Sequence, residues 1–263
     1  MANNLWSTDN TTNKFYRHSG FTSTILTSFS TPSSGNHGVS SDGTNLYSSD
    51  SNTDKIYKHS GFTSVILDSF SSPGTSPNDV TFFGSNIYSN DNTGKVYKHS
   101  GFSSVILNSF STNSNDGLSY STVNLLGTND ALDDVFKHNG FTSTILDSFS
   151  APADNPYGVT FDGRYYYTSS QFPSSKLYKH NGFNATVLDS FTSPNNSPQG
   201  IEWEGVSRIE VPNFSPAALS LGISLPQAFA GSTTVLVPPL NLYTRMQRLP
   251  ELAQNSTKII FIG

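Results

Sequence analysis

Cysteine is missing from all 263 residues, which excludes disulfides, thiolate metal ligands and thiol redox chemistry. Charge is sparse, with only 13% Asp, Glu, Lys and Arg. Strong helix formers are few, whereas Ser, Thr, Asn and aromatics abound, as many short strands and turns require. No apolar run reaches 18 residues, so no membrane insertion is expected. The opening MANNLWSTDN has neither the basic nor the apolar region of a secretory signal. A phosphate-binding loop and a dinucleotide fingerprint are also missing.

The net charge of −5 divides unevenly. Residues 1–205 carry 10 Lys/Arg against 17 Asp/Glu, and residues 206–263 carry 4 against 2. A ring of net −7 is a poor nucleic-acid binder, and a tail of net +2 suits an acidic protein surface.

What is present is one sentence written five times: KFYRHSGFTSTILTSFS (14–30), KIYKHSGFTSVILDSFS (55–71), KVYKHSGFSSVILNSFS (95–111), DVFKHNGFTSTILDSFS (134–150) and KLYKHNGFNATVLDSFT (176–192). Its turn glycines, Gly20, Gly61, Gly101, Gly140 and Gly182, are 41, 40, 39 and 42 residues apart. That period fits one four-stranded unit per repeat. In the second unit the strands read NLYSSD (45–50), KIYKHS (55–60), SVILDSFS (64–71) and DVTFFG (79–84), separated by polar, Gly-Phe and Ser/Pro/Gly connections.

The phase of the repeat predicts how the ring closes. NLWSTD (4–9) matches NLYSSD, so the first unit lacks a preceding strand, and GIEWEG (200–205) supplies it from the far end. The expectation is an all-β chain: a five-bladed β-propeller of four-stranded blades over residues 1–205, closed by pairing of N- and C-terminal strands, with a strand-rich extension over 206–263.

Candidate chemistry is weighed against the repeat. His18, His59, His99, His138 and His180 recur on the third strands. At a strand spacing of about 4.8 Å they lie roughly 10 Å outside the innermost strands and diverge around the ring, so they do not converge on one metal. Neither a metal nor a cofactor is expected. Phenylalanines at fixed places, such as Phe29 and Phe62, read as packing between blades.

Function is sought where copies differ, in the loops entering the innermost strands and those between second and third strands. The first set supplies Asn36, His37, Asn78, Asp79, Asn115, Asp116, Tyr157 and Gln199; Asp50, Asp91 and Asp130 begin the second. In the fourth unit LLGTND (125–130) reads as replacing the aromatic by Gly127. Strand alternation puts both loop sets on one face, giving a polar, acidic rim with one tyrosine. Such groups suit sugar hydroxyls, and equally serve as Asx turns capping strand ends. Enzymatic activity is not expected: the string SGNH (34–37) lies within one loop and does not form a nucleophile, base and oxyanion hole. Asp79 and Asp116 are the one carboxylate pair considered for glycoside hydrolysis.

The tail has lost the repeat. It alternates apolar residues at Leu219, Leu221, Ile223 and Leu225 and ends on Ile259, Ile260, Phe261 and Ile262. Either it packs back on the propeller, or it pairs with other copies or a larger assembly. SPAALSLGISLP with STTVLVPPLNLYTRMQRLP resembles the alternating Leu/Ser/Pro segments near the C-termini of virion-associated proteins of tailed bacteriophages. The five repeats resemble those of tachylectin-like propeller lectins in blade number and period, without a clear match to that family's sugar-binding motif. These resemblances imply a structural, non-enzymatic virion protein, a capsid decoration or a tail or fibre component, made in the host cytoplasm without a signal peptide. Its partners would be other virion proteins and its own copies through the tail, with host glycan on the propeller. A free carbohydrate-binding propeller is the alternative.

Overall fold

A computed structural model describes residues 4–113 and 116–204. Among the described residues, twenty strands form five four-stranded antiparallel sheets. Blade 1 is built from β1 (Leu5–Asp9), β2 (Lys14–His18) and β3 (Ile25–Ser30), with its innermost strand, β20 (Pro198–Trp203), coming from the other end of the ring. Blade 2 runs outward through β4 (Asn36–Ser41), β5 (Leu46–Asp50), β6 (Lys55–His59) and β7 (Ile66–Ser71). Blade 3 comprises β8 (Pro77–Phe83), β9 (Asn86–Asp91), β10 (Lys95–His99) and β11 (Ile106–Ser111). Blade 4 comprises β12 (Leu118–Tyr120), β13 (Leu125–Asn129), β14 (Asp134–His138) and β15 (Ile145–Ser150). Blade 5 comprises β16 (Pro156–Phe161), β17 (Tyr166–Ser170), β18 (Lys176–His180) and β19 (Val187–Thr192). The ring is a five-bladed β-propeller.

Closure follows the expected phase. In blade 1, β20 pairs antiparallel with β1, placing Leu5 opposite Trp203 and Ser7 opposite Ile201. The Arg17 guanidinium meets the Glu204 carboxylate at 2.6 Å and helps hold this seam. The inner strands begin earlier than the alternation predicts, at Pro77, Pro156 and Pro198, because proline is tolerated as the first residue of a strand.

Each blade boundary has its own apolar core. Trp6 and Phe15 of blade 1 pack with Val39 and Leu46 of blade 2; Tyr47 and Ile56 of blade 2 pack with Val80 and Ile87 of blade 3. The repeated phenylalanines complete these layers. Each Gly-Phe turn sends its ring onto the outer-strand phenylalanine of the preceding blade: Phe62 on Phe29 and Phe183 on Phe149 lie edge-to-face at 4.9 Å. Pairs of this kind contribute about 0.5–1.5 kcal/mol each beyond burial. The turn needs its glycine because the backbone there is left-handed, with φ of 61° at Gly20 and 59° at Gly61.

The recurrent histidines are fully buried. The Nε2 atoms of His18, His59, His99 and His180 meet the hydroxyls of Ser7, Ser48, Ser89 and Thr168 at 2.8–3.0 Å. Burial pushes all four rings down to about 4, despite the opposing pull of turn carbonyls such as Thr22. They are neutral packing residues at physiological pH.

The register of blade 4 corrects the sequence alignment by one residue. Leu126 pairs with Lys137 as Tyr47 pairs with Lys58, so Leu126 replaces the aromatic and Gly127 replaces the serine of the histidine bond. Asn129, rather than Asp130, therefore opens the outer loop as Asp50 does. The missing hydroxyl is reflected at His138, whose Nε2 lies 3.4 Å from Thr112 Oγ1.

Candidate functional site

Rim side chains are aimed by breaks in the ladder between first and second strands. Pairing shifts register between Asn36 and Val39, between Pro77 and Asp79, and between Pro156 and Gly158. The bulges leave His37, Asn78 and Tyr157 without a directly opposed residue, freeing them to turn toward the face. Alternation alone did not reveal this, although the recurring Pro-x-Gly or Pro-x-Asp of the inner strands was its trace in the sequence.

Beneath the rim runs a latch between blades. Ser49 Oγ accepts the N–H of Gly38 at 2.8 Å and donates to the carbonyl of Asn78 in the next blade at 3.2 Å. Thr128 does the same for Gly117 and Tyr157, and Ser169 for Gly158 and Gln199. In blade 3, Asn90 takes the role with its amide, accepting from Asp79 N and donating to Asp116 O. These side chains join successive inner strands, whose axial edges have no neighbouring strand.

The inner strands approach so closely that four carry glycine. A Cβ at Gly158 would stand 2.4 Å from Gln199 O, and one at Gly117 would stand 2.4 Å from Tyr157 O. Asp79 takes the fifth position, and its Oδ1 lies 2.2 Å from where a Cβ of Gly38 would be. The structure thus buries Asp79 near the axis instead of presenting it on the rim. Its carboxyl accepts the N–H groups of Val80 and Leu118, each at 2.7 Å. Burial, with nearby Glu202 adding to it, pushes this carboxyl well above the usual range against the pull of those donors.

Asn36, Asp116 and Gln199 are buried as well, and the remaining sequence-predicted residues divide into two groups. Around blades 1 and 2, His37 Nδ1 meets Gln199 Oε1 at 3.2 Å and His37 Nε2 meets Ser51 Oγ at 2.9 Å. Asn36 is buried beside them with both amide atoms unpartnered. Asp50 and Asp91 cap their own loops, accepting from Thr53 N and Thr93 N at 3.0 Å.

Around blades 4 and 5, three groups converge. Asp116 Oδ2 accepts the N–H of Asp130 at 2.7 Å, and Tyr157 Oη donates to Asp130 Oδ2 at 3.0 Å. Burial and the adjoining Asp130 raise the Asp116 carboxyl to about 7. Asp79 and Asp116 thus interact with different acids, Glu202 and Asp130.

Next to this group, Asn155 links the loops, its N–H meeting Asp133 Oδ1 at 2.9 Å and its amide meeting Phe172 O at 3.0 Å. Phe172 is 71% exposed and Leu132 52% exposed, apolar residues where other blades carry Asn and Thr. Neither belongs to a repeated sequence motif, so only exposure distinguishes them. Asn115 and the tail residues Leu219, Leu221, Ile223, Leu225, Ile259, Ile260, Phe261 and Ile262 lie outside the described residues. Among the described residues, no three His, Asp or Glu side chains form a metal-ligand set.

No protein-family pattern matches the chain, and no curated protein sequence does. Solved structures match at low identity. A chain of a nidogen/laminin complex is 15% identical with a TM-score of 0.55, covering 78% of this chain and 99% of that one. The likeness is one of fold. A chain of a mitotic checkpoint complex, 12% identical with a TM-score of 0.46, covers 73% of this chain, which spans 62% of its length. BamB from Moraxella catarrhalis, at 11% identity and a TM-score of 0.41, covers 73% of this chain and 70% of its own.

Proposed function

We propose that this chain is a non-enzymatic structural and interaction protein of a virus particle, in which residues 206–263 attach the propeller and the propeller is displayed. The observation that carries a binding role over catalysis is the fate of the repeated polar groups. Histidines and latch hydroxyls are engaged between strands and blades, while the copies differ in the connections entering the inner strands and in the loops between second and third strands. Particle attachment rests on the resemblance of the tail to phage virion proteins and on its opposite charge, net +2 beside a ring of net −7. Loss of particle binding on deleting residues 206–263 is the expected result; a truncated chain that binds particles as well as the full one contradicts attachment.

A second reading, a carbohydrate-binding propeller, is favoured by the group at blades 4 and 5. Tyr157 and Asp130 are partly exposed and offer a hydroxyl and a carboxylate next to the loop bearing exposed Phe172, with buried Asp116 holding the Asp130 N–H. Aromatic faces with short acidic partners suit sugar rings and their hydroxyls. A glycan array compared for the native chain and Tyr157→Ala tests it: binding lost in the variant supports the site, and binding retained places any glycan elsewhere.

A further inference from the structure

Free sheet edges are ordinarily blunted by charge, proline or a covering element. Here β3, β7, β11, β15 and β19 each end a sheet, and each opens with an exposed apolar pair. Of the fifteen large hydrophobic side chains exposed among the described residues, twelve lie at these strand starts. The next residue is acidic in three blades, giving Ile66-Leu67-Asp68, Ile145-Leu146-Asp147 and Val187-Leu188-Asp189. Such an edge offers backbone donors and acceptors, an apolar surface and one carboxylate, which in blade 4 also meets Lys137 Nζ at 3.2 Å.

The same chain contains a matching strand sequence. Residues 258–263 read Lys-Ile-Ile-Phe-Ile-Gly, one cation followed by four large apolar residues. Laid antiparallel on β7, this segment opposes Lys258 to Asp68, Ile259 to Leu67 and Ile260 to Ile66. Opposite charges and apolar pairs then face each other at once, the pairing that stabilises adjacent strands. Blade 1 has Thr27 and blade 3 has Asn108 where the carboxylate stands, so they match less well. The 53 residues from 205 to 257 are ample to reach another copy at about 3.3 Å per extended residue.

We propose that residues 258–263 of one copy add as a fifth strand to the outer edge of blade 2, 4 or 5 of a second copy. This inference rests on the reading of residues 206–263 as an assembly segment, and it names the surface that segment meets. Main-chain bonds along the edge supply affinity, and the Lys258 pairing with Asp68, Asp147 or Asp189 fixes register and choice of blade. One tail and several receptive edges per copy produce chains or closed rings of copies.

The test measures the mass of the full chain by light scattering, with far-UV circular dichroism and thermal melting as fold controls. The native chain is expected to self-associate. Ile260→Lys and the triple edge variant Leu67→Lys/Leu146→Lys/Leu188→Lys are each expected to weaken association at least tenfold. Mixing the two variants restores a 1:1 pair, because one retains the strand and the other the edge. Lys258→Asp weakens association, and adding Asp68→Lys/Asp147→Lys/Asp189→Lys to it restores association. If Ile260→Lys is monomeric and the edge variant is unaffected, the tail assembles elsewhere: the inference falls and the assembly reading stands. If only the edge variant dissociates, copies meet edge to edge and the inference falls. A native chain that stays monomeric overturns both.

Discussion

The Asp79 carboxyl accepts the N–H of Leu118 at 2.7 Å, a bond that crosses from blade 3 to blade 4 where the other inner strands have glycine. A side chain thus fills axial space that the remaining blades leave to backbone. Asp79→Ala leaves the N–H groups of Val80 and Leu118 without this acceptor, and loss of such buried bonds costs about 1–3 kcal/mol. Urea unfolding is expected to show that loss at an unchanged slope.

The blade latches make a second prediction. Ser169→Ala removes the hydroxyl that accepts from Gly158 N and donates to Gln199 O. Two buried backbone groups lose a partner, so the variant is expected to be about 1–3 kcal/mol less stable. Gly158→Ala drives a Cβ against the same carbonyl, at 2.4 Å, and the inner strands have to separate. A cost of about 1–3 kcal/mol or more is expected there as well, measured by the same unfolding curves.

Blade 4 makes the converse prediction. Its second strand carries Gly127 where the other blades place the hydroxyl that meets the histidine Nε2. Gly127→Ser restores that hydroxyl for His138 and removes a flexible residue from a strand. A gain of about 1 kcal/mol is expected, read as a rise in melting temperature.

The buried histidines and Asp116 give the pH dependence two slopes of opposite sign. His18, His59, His99 and His180 are held at about 4 when folded, against about 6.5 for a free ring, so the unfolded chain binds more protons between those values. Stability therefore falls as pH drops from 6.5 toward 4. Each His→Gln variant is expected to reduce that slope by about 1.4 kcal/mol per pH unit. Asp116 is raised to about 7, so the folded chain binds the extra proton and this carboxyl subtracts from the histidine slope between about 4 and 7; Asp79, held well above the usual range, acts in the same sense. Asp116→Asn is expected to remove one opposing contribution and so steepen the rise of stability with pH between about 4 and 7 by up to about 1.4 kcal/mol per pH unit.

The ring was legible in the sequence because the repeat reports it directly. The Gly-Phe turns and the phase between NLWSTD and GIEWEG specify four strands per period and the closing strand β20. The register of blade 4 was not, since LLGTND aligns with NLYSSD equally well one residue apart until the pairing of Leu126 with Lys137 decides it. Asp79 was also misplaced, because alternation says which side a residue takes and not how near the axis it stands. Phe172 and Leu132 became conspicuous only through their exposure.

The most direct test of an assembly role for residues 206–263 is the solution mass, by light scattering, of the full chain and of residues 1–205, whose ring closes through β1 and β20 without the tail. The account predicts an oligomeric full chain and a monomeric, folded ring. Two monomers of equal behaviour would contradict it.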